Sequence, residues 1–98
     1  MSDVDVRTVP ARSRYEAYVD GRLVGYSDYH ERDGVISFTH AEVEPAFGGR
    51  GIASEMARVS LDDVRAAGGH TVRPACPFYV WFIERHPEYA DLVAGRDR

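Results

Sequence analysis

A glycine-rich segment between two different hydrophobic patterns most constrains the fold of this chain. Up to Val43 apolar and polar residues tend to alternate, as they do in half-buried strands. From Ile52 the apolar residues recur at helical spacing, and Gly68 and Gly69 end that pattern. The chain therefore passes from strands to a helix through Gly48–Gly51, a loop whose backbone another group can approach closely.

Turn residues divide the rest of the chain. Asp20-Gly21 is a two-residue hairpin signal, because both residue types tolerate positive φ. Pro77 suits the first turn of a second helix, which His86-Pro87 interrupts. Residues 1–13 are interpreted as a ragged start with room for a short strand at Val4–Val9. The pattern predicts strands at 15–19, 22–28, 35–43 and 71–75 and helices from 52 and from 77, with one or two more helical turns at 88–93.

The predicted order is β-β-β-α-β-α, which gives an α+β (α/β) class with a mixed, mostly antiparallel sheet. A strand–helix–strand crossover makes its two strands parallel, so the strand at Thr71 is expected parallel to the one ending at Val43. A length of 98 residues is that of one domain, and residues 1–98 are expected to form a single domain.

Composition narrows the classes of function. Twelve Lys+Arg residues against 16 Asp+Glu give a net charge of −4, and an acidic chain is a poor candidate for nucleic-acid binding. No apolar run is long enough for a membrane span, and Cys76 as the single cysteine allows neither an internal disulfide nor a Cys-rich metal site. No metal is therefore expected. The N-terminal residues do not resemble a signal peptide, so a cytoplasmic protein is expected.

The glycine loop has a physical interpretation as a phosphate site. The first turn of a helix carries unpaired N–H groups and the positive end of the helix dipole. Glycines let a phosphate reach that backbone, and Arg50 adds a positive charge. The loop is not a Walker loop, because no Gly-Lys-Ser/Thr follows, and it lacks the third glycine of a dinucleotide fingerprint. A plain strand-to-helix connection is the alternative.

The loop resembles the acyl-CoA loop of the GNAT superfamily of N-acetyltransferases, whose motif is Arg/Gln-x-x-Gly-x-Gly/Ala. Gly51 and Ala53 match this motif, whereas Gly48 stands where the family usually has Arg or Gln. The resemblance implies that backbone amides from Gly49 to Ser54 hold the pyrophosphate of acetyl-CoA. It also implies that the preceding strand edge pairs with the pantetheine arm. The cofactor-binding residues expected on this basis are Glu42, Val43, Gly48, Gly49, Arg50, Gly51, Ile52, Ala53 and Ser54.

The resemblance extends from Tyr15 to Val93. The patterns Val72-x-Pro74-x-Cys76-Pro77-Phe78-x-x-x-Phe82 and His86-Pro87-Glu88-Tyr89 are similar to those of small, single-domain GNAT-like acetyltransferases. These small members lack the helices between the first two strands that often shape the acceptor site in larger relatives. The tight Asp20-Gly21 turn leaves no room for such helices here. The resemblance therefore implies a minimal GNAT fold.

Three side chains are candidates for catalysis. Cys76 lies at the end of a strand and just before a helix, where it is either a nucleophile, a proton donor to the CoA sulfur or a small buried side chain. The resemblance favours a catalytic role. His40 is a candidate base, or a hydrogen-bonded strand histidine. Glu42 and Glu44 are alternative bases, or they attract a cationic acceptor. Either Tyr79 or Phe78 is expected to face the thioester, with Tyr79 as a possible proton donor.

The leading interpretation is an acetyl-CoA-dependent N-acetyltransferase that acts on a primary amine, either small or on a protein. The net charge of −4 gently favours a cationic acceptor. One alternative is an acyl-CoA-binding module with little or no transferase activity, which the missing acceptor helices motivate. Another is a protein-interaction domain in which the glycine loop binds no ligand.

Overall fold

The computed structural model describes residues 4–94 as a five-stranded sheet with two α-helices. Short 3-10 segments at Pro10–Arg12, Pro45–Phe47 and Pro87–Leu92 connect or follow these elements. The strands are β1 (Val4–Val9), β2 (Arg14–Val19), β3 (Arg22–Arg32), β4 (Val35–Val43) and β5 (Thr71–Pro74), and the helices are α1 (Ile52–Ala67) and α2 (Pro77–Arg85).

The predicted α+β class and mixed sheet are confirmed. The strands lie in chain order, β1 to β4 pair antiparallel, and β5 pairs parallel to β4, as the crossover through α1 requires. The sheet has one strand more than the predicted order, because β1 pairs with β2 along its whole length. Strand β3 also runs four residues beyond the predicted end at Asp28, since its partner β4 continues to Val35.

A β-bulge in β4 decides which residues face the helices. Asp28 pairs with His40 and Tyr29 pairs with Phe38, so Thr39 is an extra residue on β4. Strict alternation would place Phe38 and His40 on the same face. The extra residue places the Phe38 side chain in the core and leaves His40 exposed on the other face.

Both helices pack on one face of the sheet. One cluster of buried side chains joins Phe38 of β4 to Leu61 of α1 and Phe82 of α2. A second cluster holds Ile52 and Met56, the first turns of α1, against β2 and β3. Gly25 is required by the neighbouring strand, because a Cβ there would lie 2.9 Å from the carbonyl oxygen of Glu42 on β4.

The opposite face of the sheet is covered by its own side chains. The Arg7 guanidinium lies 4.2 Å from the ring centre of Tyr18, and that of Arg14 lies 4.2 Å from the ring centre of Tyr26. Such cation–π pairs shield the rings while leaving the charges in water. None of the helices within residues 4–94 is long and apolar enough to cross a bilayer.

An exposed ion pair joins β3 to the loop before β5. His70 Nε2 lies 2.8 Å from Glu31 Oε2, and His70 Nδ1 lies 3.0 Å from the carbonyl oxygen of Gly68. These two hydrogen bonds, that to Glu31 first, raise the pKa of His70. A raised histidine pKa stabilises the fold fully below the ordinary value of about 6.5, and the contribution disappears as the pH rises past the raised value.

We predict that Glu31→Gln lowers the melting temperature at about pH 6 and has little effect at about pH 9, where His70 is neutral in both proteins. Thermal unfolding followed by circular dichroism across this range measures the difference. Glu84→Gln removes an exposed carboxylate on α2 and serves as the control. An equal loss at both pH values would contradict the assignment.

Candidate functional site

Strands β4 and β5 part in the middle of β4. Their pairing covers only Val35–Phe38 of β4, and the N–H of Cys76 donates to the carbonyl oxygen of Phe38 at 2.8 Å just beyond the last pair. From Thr39 to Val43, β4 has a neighbouring strand, β3, on one side only. This free edge can accept an extended ligand as an additional strand.

The glycine loop lies at the end of this free edge. The first bond of α1 runs from the N–H of Glu55 to the carbonyl oxygen of Gly51, at 2.9 Å. Within residues 4–94, the N–H groups of residues 49–54 have no hydrogen-bond acceptor. Gly49 and Gly51 adopt φ of +79° and +76°, which other residues reach only with strain. The loop therefore presents a row of free donors at the positive end of α1.

A groove of about 330 Å³ connects the loop to α2. Phe78 and Trp81 form its wall on α2, and Trp81 is 42% exposed. Seven of the nine residues expected to bind the cofactor line it: Val43, Gly48, Gly49, Gly51, Ile52, Ala53 and Ser54. The other two, Glu42 and Arg50, lie outside this lining.

Two guanidinium groups lie near the same aromatic ring, Phe47, at the start of the glycine loop. The Arg50 guanidinium lies 5.2 Å from the ring centre of Phe47, and that of Arg22 lies 5.4 Å from the same centre. Arg22 also donates to Glu44 at 2.7 Å. No local sequence pattern indicates Arg22 at this place, because only the folding of the β2–β3 hairpin brings it here. The loop thus carries local positive charge in a chain whose net charge is −4.

His40 and Glu42 come together beside the free edge, on the face of the sheet opposite the two helices, which we call the open face. The Tyr26 hydroxyl donates to Glu42 Oε1 at 2.8 Å, and His40 Nε2 lies 3.4 Å from the same oxygen. The hydrogen bond from Tyr26, followed by that from His40, lowers the pKa of Glu42. The carboxylate therefore stays ionised beside the imidazole, and the bond to it raises the pKa of Tyr26.

Cys76 occupies the junction where the two strands part. It caps the start of α2, and its carbonyl oxygen accepts bonds from the N–H groups of Tyr79 and Val80. Its side chain is 5% exposed and packs in the core cluster that contains Phe38 and Tyr79. The backbone of Cys76 is therefore held beside the free edge by hydrogen bonds on both sides, while its thiol packs in the core.

The structure places Tyr79 in the core, away from the groove. Its side chain is 1% exposed, and its ring stacks on Phe38 at 4.4 Å. Its hydroxyl lies 2.8 Å from Ser27 Oγ and 2.9 Å from Ser60 Oγ, and burial raises its pKa to about 12. We therefore withdraw Tyr79 as a proton donor, because its hydroxyl is enclosed between β3 and α1. Phe78 is the member of the pair that faces the groove.

Comparison with known proteins assigns the sequence to a family. The sequence matches the family described as GCN5-related N-acetyl-transferase over residues 14–92. Among proteins with curated functions, none matches this sequence.

Solved structures with the same fold include a GCN5-like protein from Staphylococcus aureus. Its NMR structure is 18% identical, with a TM-score of 0.72 over 97% of this chain and 92% of that one. The ribosomal-protein-S18-alanine N-acetyltransferase from Escherichia coli is 12% identical, with a TM-score of 0.63 over 74% of this chain and 50% of that one.

A third structure is a GNAT family acetyltransferase from Brucella melitensis in complex with acetyl-CoA. It is 23% identical, with a TM-score of 0.55 over 70% of this chain and 50% of that one. The match thus spans nearly all of the Staphylococcus chain but only about half of the Escherichia and Brucella chains.

We predict that Tyr79→Phe destabilises the fold by about 1–3 kcal/mol, because it leaves the buried Ser27 hydroxyl without its partner. Urea denaturation followed by circular dichroism measures the loss. Tyr18→Phe is the matched control, since the Tyr18 hydroxyl lies at the surface and bonds to Glu16. Equal losses in the two variants would contradict the core role of Tyr79.

Proposed function

The chain belongs to the GCN5-related N-acetyltransferase family, and from that premise we propose that it transfers the acetyl group of acetyl-CoA to a primary amine. The observation that carries this proposal is the row of free N–H groups from Gly49 to Ser54, placed at the end of a free strand edge. One part matches a pyrophosphate and the other an extended amide-containing arm. Residues 1–98 are taken as one domain of this kind.

The pyrophosphate would lie on the loop. Its charges match the free amides and the positive end of α1. Arg50 adds positive charge near the same place, where its guanidinium lies against the Phe47 ring, whereas the charge of Arg22 is paired with Glu44.

The pantetheine arm would follow β4 from the loop toward Phe38. Its amides would pair with the edge at Glu42 and Val43, and the Phe78 ring would cover its apolar side. The complex of the Brucella protein with acetyl-CoA supports this choice of cofactor. The arm then ends near Cys76, where β4 and β5 part.

The acceptor amine would approach from the open face. Its nitrogen forms a bond with the thioester carbonyl carbon, the carbon–sulfur bond breaks, and His40 takes the proton that the amine loses. Glu42 orients the imidazole through His40 Nε2, and Tyr26 fixes Glu42. This arrangement supplies mainly positioning and proton transfer.

We assign Cys76 the role of donating a proton to the departing CoA sulfur. A covalent acetyl group on Cys76 would need room in a packed cluster where the side chain is 5% exposed. Proton donation needs only the S–H group at the junction. The covalent route is the alternative, and mass spectrometry distinguishes the two.

The second candidate function is an acyl-CoA-binding module with little transferase activity. It is favoured by the open face, which no helix within residues 4–94 covers, so the acceptor has few walls around it. A screen of amines that follows CoA thiol release separates the candidates. Release with a small amine or with a peptide amine supports the transferase.

We predict that Gly49→Asp weakens acetyl-CoA binding about tenfold or more, because it adds a negative charge and strains the loop that holds the phosphates. Isothermal titration calorimetry measures the affinity. Gly34→Asp is the matched control, since Gly34 has the same φ of +79° but lies at the other end of β4. The proposed site would be contradicted if the unmodified protein did not bind acetyl-CoA, or if both variants lost affinity equally.

We predict that His40→Ala lowers kcat about 100-fold. We also predict that Cys76→Ala lowers kcat at least about tenfold, and that the unmodified protein forms no acetyl adduct. Steady-state assays and intact-mass measurement after incubation with acetyl-CoA test both statements. His30→Ala is the control, because His30 is another exposed histidine of the sheet. An acetyl adduct that Cys76→Ala abolishes would replace proton donation by the covalent route.

A further inference from the structure

We propose that the protein has a second binding site, for a small organic ammonium ion with an apolar body, under the C-terminal half of α1. A cavity of about 230 Å³ lies there between the helix and the sheet, and we call it the distal cavity. It is lined by Tyr15, Tyr29, Glu31, Ile36, Phe38, Asp63, Val64, Ala67 and His70.

The floor and walls of the distal cavity are apolar and largely aromatic. Tyr15, Phe38 and Val64 are each less than 7% exposed and form part of the main core. The Tyr29 ring centre lies 5.7 Å from that of Tyr15 and 6.2 Å from that of Phe38. The three rings thus form an aromatic lining that suits the apolar body of a ligand.

The mouth of the distal cavity carries negative charge. Asp63 Oδ2 accepts hydrogen bonds from the Tyr15 hydroxyl at 3.1 Å and from Thr8 Oγ1 at 3.4 Å, and no basic side chain within residues 4–94 pairs with it. Within residues 4–94 Glu31 is paired with His70, so Asp63 is the carboxylate whose charge no basic side chain offsets at the mouth. The hydroxyl bonds fix the Asp63 carboxylate in place while its charge remains available to a cation.

The helix contributes charge of the same sign. Val64 and Ala67 belong to the last turn of α1, where the helix dipole is negative and attracts cations. Arg65, the basic residue of that turn, is held away by Asp91 at 2.9 Å and by the Glu88 carbonyl oxygen at 2.7 Å. The end of the helix is therefore open to a positive charge brought by a ligand.

The distal cavity is separate from the proposed acetyl-CoA groove. The two share no lining residue. Ser54 in the groove and Asp63 at the cavity mouth are nine residues apart on α1, about 14 Å along the helix axis. The inference therefore does not depend on acetyl transfer.

The test uses the full 98-residue protein and phenethylamine, which joins an ammonium group to a single ring. A titration followed by two-dimensional amide NMR is expected to shift signals around Asp63, Tyr29 and Ala67, with a dissociation constant of about 1 mM. 3-Phenylpropanoate has a similar size and the opposite charge, and it is expected to cause no shifts in this region.

Two variants change the distal cavity by different means. Asp63→Asn removes the charge but keeps an oxygen that accepts the Tyr15 hydrogen bond, and we expect it to weaken binding about fivefold. Its control is Asp33→Asn, which removes a carboxylate that is 92% exposed and outside the cavity. Ala67→Leu blocks the mouth and is expected to weaken binding about tenfold.

The control for Ala67→Leu is Ala66→Leu, its exposed neighbour on α1 that does not line the cavity. Both controls are expected to bind phenethylamine within about twofold of the unmodified protein. Shifts that appear equally with 3-phenylpropanoate, that centre on other residues, or that survive both cavity variants would overturn the proposal. Acetyl-CoA binding is measured separately, so failure here leaves the proposed function standing.

Discussion

The hydrogen bond from the Cys76 N–H to the Phe38 carbonyl oxygen is the point on which the site depends. Beyond it β5 turns into α2, while β4 continues for five more residues with one side free. If pairing continued to Val43, there would be no edge for an extended ligand and no junction for the thiol. The ring of Phe38 reinforces this point, because it stacks on Tyr79, whose hydroxyl connects Ser27 to Ser60. The end of the pairing is thus anchored in both the sheet and α1.

The bulge at Thr39 has a comparable effect on the open face. Without the extra residue His40 would lie on the same face as Phe38, where α1 and α2 pack, and no imidazole would stand on the face from which we propose that the amine approaches. With it, His40 and Glu42 lie next to each other and Tyr26 fixes the carboxylate. A local irregularity of one residue thereby separates the face that builds the core from the face that is open to an acceptor.

The sequence predicted those parts of the structure that depend on local patterns. The hairpin at Asp20-Gly21, strand Val35–Val43 and helix Ile52–Ala67 follow from turn residues and periodicity. The outward position of His40 did not follow, because a bulge leaves no signal in alternation. The burial of Tyr79 depends on two serines that are 52 and 19 residues away in the chain. Long-range contacts of this kind are fixed only by the packed fold.

The polarity of α1 links the two ends of the molecule. Its N-terminus is positive, carries free amides and lies near Arg50, whereas its C-terminus is negative and lies near Asp63. Basic side chains near the second end are paired, and so is the one acidic side chain in the first turn, Glu55, which Arg58 holds at 2.6 Å. Each end therefore keeps the sign of charge that the dipole sets. The two proposals place a polyanion at the glycine loop and a monocation at the far end, so the ends of one helix would favour ligands of opposite charge at places that share no residue.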